Sequence, residues 1–161
     1  MNYYKLFELA ETPVVDKKTL VAKYIDLQKK YHPDFFTTDT EVAQEEALEF
    51  SANINKAYNI FKNDDKTIEY FLQQKNVIVT DEKYNLPPEF LMEMMELNES
   101  IDENDDVTTK VNGFENELQQ TVQPLLTIEK AISLTENDLK LLKAYYYKKK
   151  YLRRILERLD D

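Results

Sequence analysis

The sequence predicts an all-α protein in two parts. Four helices over residues 1–75 include a long antiparallel hairpin; a linker over 76–86 leads to a three-helix bundle over 87–161. Three observations carry this. The 161 residues include one glycine and five prolines, whereas leucine, glutamate and lysine abound, a balance that favours helices. Apolar residues recur at i, i+3, i+4 and i+7 in successive stretches, the period of a helix face. The β-like run Val77-Ile78-Val79 sits in polar surroundings and is followed by Leu86-Pro87-Pro88, which marks a break between the two parts. At 42% hydrophobic and 12% aromatic the chain can bury a core, and its length suits one ordinary domain or two small ones.

Asn2 to Leu9 reads as a short helix with Tyr3, Leu6, Phe7 and Ala10 able to share a face, ended by Glu11-Thr12-Pro13. Asp16 suits an N-cap. The helix after it runs to Tyr31 with Leu20, Tyr24, Leu27 and Tyr31 on one stripe, and Lys17, Lys18, Lys23, Lys29 and Lys30 fill much of the rest. It stops at His32-Pro33-Asp34, because proline disfavours the α region for the residue before it. After a polar loop, a helix over about Glu41–Lys62 turns Ala43, Ala47, Phe50, Ile54, Ala57, Tyr58 and Phe61 inward, and its register suits an antiparallel pair with the lysine-bearing helix. Asn63-Asp64-Asp65 opens a further helix carrying Ile68, Phe71 and Leu72.

Pro87 and Pro88 suit the first turn of the next helix. Leu91 and Met95 lie on one side of it, and Phe90, Met94, Leu97 and Ile101 on the neighbouring one, an apolar arc wider than one packing face. On spacing its methionines read as core filler rather than as an exposed, adaptable surface. Asp102 to Asp106 reads as an acidic turn. From Val107 an apolar pattern runs through Val111, Phe114, Leu118, Val122, Leu125, Leu126, Ile128 and Ile132, and Gly113 and Pro124 weaken or kink it. Thr135 and Asp138 resemble a capping box for a last helix reaching about Leu159.

Composition removes whole classes of chemistry. No cysteine means no disulfide, thiolate nucleophile or cysteine-ligated metal. A single histidine, His32, disfavours a histidine-rich metal site or a Ser-His-Asp triad. The formal charge of -10 argues against general nucleic-acid binding. No apolar run approaches the roughly 20 residues that span a bilayer, and the N-terminus has no signal or transit pattern, so a cytoplasmic location is expected. There is no phosphate-binding glycine loop. Glu93, Glu96, Glu99, Asp102 and Glu103 are read as a solvated face rather than a cation site. Lys148, Lys149, Lys150, Arg153, Arg154 and Arg158 suit the end of a helix better than a nucleic-acid contact. No enzyme activity, cofactor or metal is expected.

Tyr4-Lys5-Leu6-Phe7-Glu8-Leu9, the basic helix, Tyr31-His32-Pro33-Asp34-Phe35 and Ser51-Ala52-Asn53-Ile54-Asn55-Lys56-Ala57-Tyr58 resemble a J-domain in order and spacing. J-domains are four-helix modules that stimulate ATP hydrolysis by heat-shock 70 kDa (DnaK-type) chaperones. The remainder, with Phe90-Leu91-Met92-Glu93, Met95-Glu96-Leu97 and two more long helices, resembles the HscB (Hsc20) co-chaperones of iron–sulfur cluster biogenesis. The resemblance implies that His32, Pro33 and Asp34, with Lys23, Lys29 and Lys30, engage a DnaK/HscA-type chaperone. It also implies that Leu91, Met92, Met95, Glu96, Glu99 and Tyr151 hold an IscU-type cluster scaffold, which turns Met92 and Met95 towards the exposed-surface reading. A monomer or weak dimer without nucleic-acid or membrane partners is implied. The chain departs from the family pattern at Phe35, where many relatives carry lysine, and matches it least from Glu103 to Ser133. The tetracysteine zinc segment of some eukaryotic relatives is absent, which with the missing transit pattern favours a bacterial type. A J-domain protein with another client, or a helical adaptor without ATPase stimulation, would share parts of this pattern.

Overall fold

The computed structural model describes residues 1–102 and 106–160, and its chain forms two compact units, Met1–Gln74 and the part from Lys75 onward. Both are helical, with no strand among the described residues. Most of the turn expected over Asp102 to Asp106 lies outside the described residues.

The first unit starts with α1 (Tyr3–Leu6), capped by the Asn2 side chain, which accepts from the backbone of Tyr4 and Lys5. It is shorter than its sequence suggests, because Glu8 adopts a left-handed φ of 51° that no helix continues. The inward residues differ accordingly. Tyr4 and Phe7 are buried, whereas Ala10 is exposed. The Tyr4 hydroxyl donates to the Thr12 carbonyl at 2.7 Å, satisfying it in the core. Burial pushes that phenol's pKa far above its usual value.

Asp16 caps α2 (Lys17–Tyr31) by accepting from Thr19 N at 3.0 Å, and the Thr19 hydroxyl and amide hold its carboxyl pKa below the usual range. Thr40 caps α3 (Glu41–Phe61). The two helices form an antiparallel hairpin whose register is fixed by stacked rings: Tyr24 on Tyr58 at 4.1 Å and Tyr31 on Phe50 at 4.9 Å. Tyr24 and Gln28 both donate to Asn55 Oδ1, at 2.9 and 3.1 Å. α4 (Asp64–Gln74) closes the unit and brings Tyr70 to Phe61. Asn76 then takes a φ of 57°, a helix-ending conformation that asparagine tolerates. The β-like run after it is therefore a bend, with Ile78 buried and Val79 exposed.

The second unit is built on α5 (Pro88–Asp102), α6 (Val107–Val122) and α8 (Glu136–Asp160). Phe90, Met94, Leu97, Val107, Val111, Leu152 and Ile155 form one core cluster, and Val122 and Leu142 are also fully buried. Gly113 does not interrupt α6, but Pro124 does: Gln123–Leu126 tightens into a 3-10 turn, and the four-residue α7 (Ile128–Ala131) follows. The apolar pattern read through Ile128 and Ile132 thus breaks, leaving both residues exposed. Thr135 and Asp138 form the reciprocal capping pair ahead of α8, at 2.9 and 3.1 Å.

Residues 82–86 do not hang free. Glu82 accepts from Lys143 Nζ at 2.8 Å and from the Tyr147 hydroxyl at 2.6 Å, while Tyr84 stacks on Tyr147 at 4.5 Å. The Lys143 ammonium, then the Tyr147 hydroxyl, lower the Glu82 carboxyl pKa. A carboxylate whose folded pKa is depressed adds stability above its unfolded pKa and loses it as pH falls through the folded value. Glu82→Gln is therefore expected to lower the melting temperature near neutral pH and to narrow its gap from wild type as the buffer is acidified below about pH 4. A gap that stays constant between pH 7 and pH 3 would show that the carboxylate charge contributes nothing.

Candidate protein-interaction sites

α2 ends on His32, whose extended backbone (φ -64°, ψ 132°) matches the restriction proline imposes on its predecessor. Its N–H still donates to Gln28 O at 3.0 Å. Pro33 then opens a 3-10 turn, Pro33–Phe36. His32 Nδ1 accepts from Asp34 N at 3.2 Å, and Phe35 N donates to His32 O at 3.0 Å. His32 Nδ1 also lies 3.6 Å from Asp34 Oδ2. The corner is held from below by the Tyr31–Phe50 stack and from the side by Gln44, whose amide donates to the Thr37 and Asp39 carbonyls at 3.0 and 3.2 Å. It remains open to solvent, with side-chain exposures of 46% for His32 and 84% for Asp34.

The lysines of α2 divide. Lys29 and Lys30 are exposed next to the corner. Lys23 is half-buried and donates to the Glu8 carbonyl at 2.6 Å, fastening α2 to the left-handed residue after α1. Lys17 donates to Phe61 O and pairs with Asp64, both at 2.8 Å. Sequence reasoning did not single out Val21 and Ile25, which stand exposed on α2. Their i, i+4 spacing off the Leu20 stripe is the signal that could have found them.

On α5 the inward residues are Phe90, Met94 and Leu97. Met92 and Met95 are 63% and 61% exposed, with Glu96 and Glu99 exposed and Leu91 half-buried beside them. At the helical angle of 100° per residue these five positions cover an arc of roughly 140°. Tyr151 comes from α8 and sets its ring edge-on to Phe90 at 6.1 Å, so it joins the α5 surface through that buried ring. Two methionines among carboxylates make an adaptable apolar surface with an acidic border. Among the described residues, no group of three His, Asp or Glu side chains is placed to hold a metal ion. No helix among them is long and apolar enough to cross a membrane.

Comparison with known proteins agrees with this architecture. Residues 86–160 match the family described as the HSCB C-terminal oligomerisation domain. The co-chaperone protein HscB homolog of Vibrio vulnificus is 33% identical over 138 residues, 83% of this chain and 81% of that protein. The crystal structure of human co-chaperone protein HscB shares the fold at a TM-score of 0.80, with 23% identity over 99% of this chain and 81% of the human one. Chaperone HscB from Vibrio cholerae aligns over 99% of both chains with 29% identity and a TM-score of 0.59. The relatives that cover most of this chain are co-chaperones rather than enzymes. The chain belongs to the HscB co-chaperone family.

Proposed function

We propose that this protein stimulates the ATPase of a DnaK/HscA-type heat-shock 70 kDa chaperone and delivers an IscU-type scaffold to it during iron–sulfur protein maturation. In this reading residues 1–75 act as the J-domain and 87–161 as the scaffold-binding domain. His32, Pro33 and Asp34 are the trigger, Lys29 and Lys30 steer towards an acidic partner surface, and Lys23 adds charge while tying α2 to α1. Leu91, Met92, Met95, Glu96, Glu99 and Tyr151 hold the scaffold. We read the protein as cytoplasmic, free of resident cofactors, and a monomer or weak dimer.

The observation that supports this most is the His32-Pro33-Asp34 corner, braced by its neighbours yet with both polar side chains in water. A binding protein can accelerate a chaperone by favouring one of its states, which requires contacts that differ between the states. A rigid exposed corner supplies such contacts without the cost of ordering a loop on binding.

The test is a steady-state ATPase assay with a DnaK-type chaperone, with and without a cluster scaffold. Stimulation by the chain alone, raised further by the scaffold, is the expected result. No stimulation under either condition would end the proposal. The double substitution Leu91→Ala with Met95→Ala is expected to weaken scaffold binding at least tenfold, about 1.4 kcal/mol or more. The increment due to scaffold should disappear, while scaffold-free stimulation stays intact. Calorimetric titration of scaffold into the variant checks this, and unchanged affinity would remove the α5 surface from the reading.

A further inference from the structure

Phe and Tyr residues are kept largely out of water in this chain, with one exception among the described residues. Phe35 is 63% exposed, whereas every other Phe and Tyr is buried or half-buried. Its neighbour Phe36 is half-buried, as expected where successive side chains of a 3-10 turn point about 120° apart. The turn therefore spends one aromatic ring on packing and holds the other outward. Phe35 N is fixed to His32 O at 3.0 Å, and its ring meets the His32 imidazole edge-on, with centroids 6.2 Å apart at 69°. Most of the ring stays in water.

Position decides what can cover it. Phe35 follows Asp34 directly and touches His32, so a protein surface that engages those two side chains must also meet the ring. An aromatic side chain at the centre of a charged contact is the type of residue that dominates binding energy once desolvated. We infer that Phe35 is an affinity anchor: it enters an apolar depression on the chaperone beside the groups that receive His32 and Asp34. The inference rests on the function proposed above and divides its work. Asp34 sets how fast the bound chaperone hydrolyses ATP, and Phe35 sets how much co-chaperone is needed. An apolar anchor also makes that part of the affinity insensitive to salt, unlike the contacts of Lys29 and Lys30.

The experiment titrates the full chain into a DnaK-type chaperone and reads ATPase stimulation at low and high salt, for wild type, Phe35→Ala, Phe35→Leu, Phe35→Lys and Asp34→Asn. Circular dichroism checks each fold. Phe35→Ala is expected to raise the half-maximal concentration about tenfold and leave maximal stimulation unchanged. Phe35→Leu should recover most of the loss, because it keeps apolar bulk without the ring edge. Phe35→Lys should bind with a steeper salt dependence than wild type. A wild-type half-maximal concentration for Phe35→Ala, with Asp34→Asn inactive, overturns the anchor and leaves the proposed function standing. A lowered maximum for Phe35→Ala at saturation also overturns it, since the ring would then be holding His32 in place. Normal stimulation by Asp34→Asn would instead overturn the proposed function itself.

Discussion

Asp34→Asn is expected to abolish stimulation of the partner ATPase while leaving the melting temperature of the co-chaperone unchanged. The Asp34 side chain is 84% exposed, so an amide of the same size disturbs no packing. The bond that shapes the corner runs from the Asp34 backbone N–H to His32 Nδ1 and survives the change. An exposed substitution of this kind alters stability by about 0.5 kcal/mol or less. What is lost is a negative charge with two acceptor oxygens, presented on a turn held by the Tyr31–Phe50 stack and the Gln44 amide. Truncating one member of a charge pair that is desolvated on binding costs about 2–5 kcal/mol, enough to take stimulation to background. His32→Gln should behave alike, because it removes the ring whose Nδ1 accepts from Asp34 N and whose edge meets Phe35. A stopped ATPase time course with each variant, beside a melt followed by circular dichroism, measures both halves of the expectation. Full stimulation by a well-folded variant would refute it.

Phe61→Ala is expected to have the opposite profile, destabilising the first unit without touching the exposed corner. Phe61 is fully buried, and its ring lies 5.0 Å from that of Tyr4 and 5.9 Å from those of Phe7 and Tyr70. These residues come from α1, the turn after it, α3 and α4, so one side chain links most of the unit. Removing a buried phenylalanine costs about 3–5 kcal/mol, part transfer and part cavity. A small domain has only about 5–15 kcal/mol in total. At about 4–8 °C per kcal/mol for a unit of this size, the melting temperature should fall by at least about 12 °C. Hydrogen exchange would locate the effect: protection lost across α2, α3 and α4, and kept in α5, α6 and α8. A loss below about 1 kcal/mol would mean that the cavity closes by repacking.

The helices were legible where a local period suffices. The Leu20, Tyr24, Leu27 and Tyr31 stripe and the Ala47, Ile54, Ala57 and Phe61 stripe meet in the hairpin with the antiparallel sense their spacing implies. The capping pair at Thr135 and Asp138 was readable because its partners lie three residues apart. Short elements were not. α1 has four residues, too few for a period to single out Tyr4, and Glu8 breaks it with a φ of 51°. Ile128 and Ile132 fitted a continued stripe until the turn at Pro124 reset the helix direction. Long-range ties to backbone carbonyls leave no pattern, which is why Lys23 and Lys17 read only as surface charge. The His32-Pro33-Asp34 corner could be found because it is contiguous. Spacing pointed Met92 and Met95 into the core, yet they are exposed, because the apolar arc of α5 is wider than one packing face and Phe90, Met94 and Leu97 fill the buried side; only the likeness to a family gave the exposed arc a use.

The two kinds of lysine on α2 set different limits on how this helix can vary. Lys29 and Lys30 are exposed, so a change there alters the helix's charge with little penalty to the fold. Lys23 and Lys17 each donate to a backbone carbonyl of another segment, at 2.6 and 2.8 Å, and removing either cuts a tie between that segment and α2. A sequence drifting towards a new partner is therefore free to rewrite the end of the helix near His32. Its beginning is anchored to the architecture, so a blanket charge reversal along α2 would confound weakened docking with a loosened domain.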